Sequence, residues 1–123
     1  MKHSLIFKLQ AVFNALWAIQ LLFLPALVLE QYDWTRTDEL TACMQACGTA
    51  MMAMAIFSFG MPSWASGVQL KKASLWFGVV AGLFLLLQIY QMFISHASPG
   101  GPMDIVSTVI TGLFMVAFFV KSK

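Results

Sequence analysis

Residues 73–94 read ASLWFGVVAGLFLLLQIYQMFI, 22 residues without a charge. That stretch decides the solvent in which this chain folds. A helix rises ~1.5 Å per residue, so ~20 apolar residues cross the ~30 Å of hydrocarbon in a bilayer. Working outward, three more runs have the same character: residues 5–29, 40–59 and 105–120. The last is short and takes Met103 and Asp104 as its outer end, giving 103–120. Four spans joined by short connections predict an all-α fold: an integral membrane four-helix antiparallel bundle, up-down-up-down, forming one membrane domain over residues 1–123.

Composition points the same way. The chain is 60% hydrophobic and 10% charged, where a soluble domain holds about 45–50% and about 25%. Its mean hydropathy is +0.82. A soluble domain this small buries only roughly two-thirds of the surface its unfolded chain exposes, so lipid is the solvent that accommodates the remainder. The net charge of +2 comes from seven basic and five acidic residues. The basic residues form no stripe, which argues against nucleic acid as a partner.

Charge also orients the spans. Lys2 and Lys8 flank the start of the first run, Lys71 and Lys72 lie between the second and third, and Lys121 and Lys123 follow the fourth. All five acids, Glu30, Asp33, Asp38, Glu39 and Asp104, fall in or beside the other two connections. Lys and Arg are retained on the cytoplasmic side. Both termini are therefore expected in the cytoplasm, and a bacterial inner membrane is the expected location. A cleaved signal peptide fits residues 1–29 less well. Gln10, Asn14 and Gln20 interrupt the apolar core, and no small-x-small cleavage site follows.

Turn signals separate the runs: the polar segment 31–39, Gly60-Met61-Pro62 with Ser66-Gly67, and SHASPGGP at 95–102. Pro25, about one turn before the end of the first run, predicts a kink or early stop. Thr35 or Thr37 can cap the second helix, with Asp38 and Glu39 at its positive dipole end.

The second run is dense in small residues. Ala42, Ala46 and Ala50 recur every four positions and are expected to carry close helix packing, placing this helix at the centre of the bundle. Gly78 and Gly82 form a GxxxG pair on the third run, for a contact within the bundle or a dimer seam. Asn14 is expected to join the packing through hydrogen bonding, sharing a face with Gln10 at i and i+4.

No Asp, Glu, Arg or His lies clearly within the hydrocarbon. Such residues mark ion and proton pathways, and their absence argues against a proton-coupled carrier, a voltage sensor or a pump. No nucleophile–base pair, phosphate loop or paired carboxylates occurs within the spans, so no enzyme activity and no cofactor are expected. What remains is neutral. Gln20, Gln45, Gln88, Gln91 and Thr111 all map to the outer half of the bilayer. Gln45, Gln88 and Thr111 lie roughly 8–9 Å below the outer ends of their helices. They serve either as interhelical glue or as the lining of an outward-facing pocket for a small lipophilic ligand.

Cys43 and Cys47 share a helical face, and nine methionines occur in the chain, four of them on the same helix at 44, 51, 52 and 54. Thiolate and thioether ligands select Cu(I). The cysteine spacing matches no zinc motif, and the methionines point around the helix, so two small packing residues are the favoured account over a metal site. His3 and His96 are expected in solvent.

The end of the first run, LLFLPALVLEQY, followed by a short polar loop and a small-residue helix, resembles a broad group of four-helix bacterial membrane proteins, DoxX-like in general appearance. The resemblance covers the first half of the chain, and the paired cysteines are not part of it. It implies the four-helix architecture and no particular activity. The function expected from the residues is a non-enzymatic membrane protein acting by helix contacts, as a homo-oligomer or as an accessory subunit of a larger assembly. A carrier of a small lipophilic molecule is the second expectation, and a thiol or copper site the third.

Overall fold

The computed structural model describes residues 2–96 and 100–123. Among these residues there are five helices and no strand: α1 (His3–Phe23), α2 (Pro25–Tyr32), α3 (Asp38–Trp64), α4 (Val68–Phe93) and α5 (Pro102–Ser122). Four of them, α1, α3, α4 and α5, are long and apolar enough to cross a membrane. Of the turn expected at 95–102, residues 97–99 lie outside the described residues.

Helix limits differ from the apolar runs in three places, each for a local reason. The first run breaks at Leu24, whose φ of −127° and ψ of 46° are not helical. Proline lacks an N–H and disfavours helical geometry in the residue before it, and Pro25 then fits the first position of α2. Next, α3 passes through Gly60-Met61-Pro62 and stops at Trp64. Pro62 sits in the last turn, where one lost ladder bond costs least. Finally, α4 starts at Val68 rather than 73 and includes the exposed Lys71 and Lys72. Charges end the hydrocarbon stretch, but they are good helix formers and do not end the helix.

Hydrogen bonds close the end of α2 and the start of α3. Asp33 adopts the left-handed conformation at the end of α2, φ 57°. The Asp33 and Trp34 N–H groups donate to the carbonyls of Glu30 and Leu29, at 3.2 and 3.0 Å, satisfying two terminal acceptors. Of the two candidate caps, Thr37 is used: the Leu40 N–H donates to its Oγ1 at 3.1 Å.

The chain divides into two compact units, residues 7–62 and residues 1–6 with 63–123. In the first, α1 presents Phe7, Ala11, Asn14 and Ala18, all buried and spaced by four, three and four residues. This is the stripe a 3.6-residue period generates. Against it α3 sets the buried Met44, Gly48, Ala55 and Ser58. Ser58 Oγ donates to the Phe7 carbonyl at 2.6 Å, and at the other end Gln45 Nε2 reaches the Leu22 carbonyl at 3.5 Å. The two helices thus run in opposite directions. Val28 and Leu29 of α2 close one end over Met44, with Leu21, Tyr32 and Leu40 around them.

In the second unit α4 and α5 form an antiparallel hairpin. Gly78 lies against Phe119, Gly82 against Met115, and Gly112 against Leu85. Each step up α4 matches an equal step down α5. Phe118 is fully buried and packs on Phe77 at 5.5 Å and Phe114 at 6.3 Å between ring centroids. His3, expected in solvent, is half-buried and donates through Nε2 to the Lys121 carbonyl at 2.8 Å. A C-terminal carbonyl of α5 lacks an intrahelical donor, and the imidazole supplies one.

Candidate functional site

Exposed faces separate α3 from the other long helices. Helix α1 shows Leu5, Leu9, Val12, Leu16, Ile19 and Phe23 to the outside; α4 and α5 show comparably large aliphatic and aromatic side chains. That clothing suits lipid. From Ala42 to Ala53, α3 shows none. Its exposed residues there are Ala42, Cys43, Gln45, Ala46, Cys47, Thr49, Ala50 and Ala53. Large exposed residues resume only at Ile56 and Phe57. Half of one apolar helix therefore carries a smooth, small-residue surface.

The stripe Ala42–Ala46–Ala50 lies on this exposed face and not in the α1–α3 seam. Close approach to α1 is made instead by Gly48, which no small-residue periodicity marks. A Cβ at Gly48 would stand 2.9 Å from Leu22 Cγ, 3.0 Å from Leu21 Cβ and 3.2 Å from the Ala18 carbonyl oxygen. Glycine alone permits that spacing. A glycine inside an apolar helix was the available signal, masked by the stronger alanine periodicity beside it. Gly78 and Gly82 contact α5 in the same unit. A Cβ at Gly78 would meet the Phe119 ring at 3.0 Å, and one at Gly82 would meet Met115 Sδ at 3.4 Å.

The five residues proposed as a ligand lining divide between the units. Gln20 and Gln45 belong to the first, Gln88, Gln91 and Thr111 to the second. Gln45 is exposed and its amide reaches toward the Leu22 carbonyl, beside the helix break at Leu24. Carbonyls freed by a break in a membrane helix need such donors. Thr111 is buried, and its hydroxyl donates to the Ser107 carbonyl of its own helix at 2.7 Å. Gln88 Oε1 is buried with no hydrogen-bond partner among the described residues. The hairpin register sets Gln88 at the level of Val109, next to Thr108, whose hydroxyl donates to the Asp104 carbonyl at 2.7 Å.

Asp104 is a further departure. The apolar run puts it at the margin of the last span, whereas it is only 7% exposed and accepts the Gly100 N–H at Oδ2, 3.0 Å away. Its place in the first turn of α5 puts the carboxylate at the positive end of the helix dipole. Asp104, Ser107 and Thr111 make a buried polar row on α5.

Cys43 and Cys47 are free, exposed thiols, while Met44 is buried.

Comparison of the chain with protein-family models, with curated proteins and with solved structures finds no match.

Proposed function

We propose that this chain is a four-span membrane protein, up-down-up-down with both termini in the cytoplasm, that works by helix contact rather than catalysis. Its partner is a second copy of the chain or another membrane subunit, and it meets α3 along Ala42, Ala46 and Ala50. One observation carries this: between Ala42 and Ala53, α3 exposes only small or polar residues, while the other long helices expose large apolar ones. Lipid chains gain little dispersion against a smooth alanine face, whereas another helix can approach it closely. A bacterial inner membrane and kinship with DoxX-like proteins both fit this picture. They rest on the charge pattern and on the sequence around Pro25.

Photocrosslinking in intact membranes tests the contact. A diazirine-bearing residue at position 46 should capture protein, either a second copy or one defined partner. The same group at Leu86, an exposed residue of α4, should capture lipid. Lipid adducts at both positions would refute a contact role for α3. A carrier role keeps one specific support, the unpartnered Gln88 Oε1 near a buried polar row. A single small molecule retained through purification, and lost with Gln88→Leu, would favour it.

A further inference from the structure

The packing role expected of Cys43 and Cys47 does not appear in the structure: both are free and exposed. Gly48 makes the close approach to α1 instead, which leaves the two thiols at the surface of α3. They stand one helical turn apart, at i and i+4, where Cβ atoms are about 5–6 Å from each other. A disulfide requires about 3.5–4.5 Å between Cβ atoms, so the helix keeps the pair as thiols. A metal ion between two sulfurs sets them up to ~4.6 Å apart, two bonds of ~2.3 Å. Thiols on adjacent turns reach that separation by rotation about their Cα–Cβ bonds. A third sulfur continues the series. Met51 comes four residues after Cys47 and is half-buried, so Cys43, Cys47 and Met51 lie one above another along the helix.

The donor set selects the ion. Among the described residues no His, Cys, Asp or Glu completes a cluster of three with the cysteines. Zinc, which takes four tetrahedral ligands in structural sites, is therefore poorly served. Cu(I) is soft, is selected by thiolate and thioether sulfur, and accepts two or three ligands. We propose that Cys43 and Cys47, with Met51 as the third ligand, form a Cu(I)-binding site on α3. The site needs one copy of the chain and is independent of the helix contact along Ala42, Ala46 and Ala50. Binding exchanges the ion for protons: two S–H bonds break, two Cu–S bonds form, and two protons leave to water. Two thiolates and one Cu(I) leave a single negative charge. Cys43 lies ~7.5 Å along the axis from Asp38, the first residue of α3. The charge is thus nearer a helix end than mid-span, where it would cost most.

The test uses the full-length protein in mild detergent under argon, titrated into the coloured bicinchoninate complex of Cu(I). Wild type should withdraw one Cu(I) per chain and bleach the complex. Cys43→Ser and Cys47→Ser should each lose this uptake. Met51→Leu should keep it with lower affinity, and its X-ray absorption should show two sulfur neighbours where wild type shows three. Three sulfurs in Met51→Leu would overturn the assignment of Met51. The chain has two cysteines, so alkylating folded wild type with N-ethylmaleimide makes the same comparison without a substitution. A poorly folding variant therefore does not leave the question open. If wild type leaves the ion with bicinchoninate, or alkylated protein still takes it up, the proposal is overturned. One ion per two chains would divide the ligands between copies and overturn the single-helix site.

Discussion

At Gly48 the distance between α1 and α3 is set by the absence of one carbon atom. Its hypothetical Cβ falls within 3.2 Å of three α1 atoms, two of them on or near the backbone. Gly48→Ala should therefore separate the helices and destabilise the protein by about 1–3 kcal/mol, the usual cost of overpacking. At Gly82 the obstacle is the flexible thioether of Met115 at 3.4 Å. Gly82→Ala should be neutral or stabilising by up to ~1 kcal/mol, from reduced backbone entropy of the unfolded chain. Reversible unfolding in mixed micelles reads both, and equal effects would contradict the geometry. Ser58→Ala removes a buried bond to the Phe7 carbonyl and should cost about 0.6 kcal/mol, the average for interhelical bonds in membranes. The sequence identifies these residues as small or neutral. It cannot say which small residue meets a backbone, because that depends on the rotation of α3 about its axis. Alanine periodicity favoured one face, and the packing of Met44, Gly48, Ala55 and Ser58 uses another.

Elements were more legible than their faces. The four long helices follow from run length, and the break in the first follows from Pro25. Their limits moved where a residue's effect on the bilayer differs from its effect on the helix. Lys71 and Lys72 end the apolar run but continue α4, and Pro62 is absorbed in a final turn. The break also gives Gln45 a task, since its amide reaches toward the Leu22 carbonyl just before Leu24. In Pro25→Ala the restored N–H can bond the Leu21 carbonyl, so α1 and α2 should fuse. Amide exchange at residue 25 would then be slow, and Leu24 carbon shifts would become helical. Persistent non-helical shifts at Leu24 would show that the packing of Val28 and Leu29 on Met44, rather than proline, holds the bend.

For the whole molecule, charge and apolar length supply an expected orientation, and exposure supplies a candidate role. In a cysteine-free background, a cysteine at Ser66 should label only from the cytoplasmic side and one at Thr35 only from the opposite side. The reverse pattern would invert the topology inferred from the lysines. The candidate contact was only half legible in sequence. Small residues at 42, 46 and 50 were visible, but whether they face inward or outward depends on the packing partner of α3, a long-range contact that no local pattern encodes. Native mass spectrometry from mild detergent, comparing the wild type with Ala46→Leu, tests the contact role most directly. The account predicts wild-type species at whole-number multiples of 13.6 kDa, or carrying one defined second chain, and their loss in Ala46→Leu with the monomer still folded. A bare wild-type monomer, or assemblies indifferent to leucine at position 46, would contradict it.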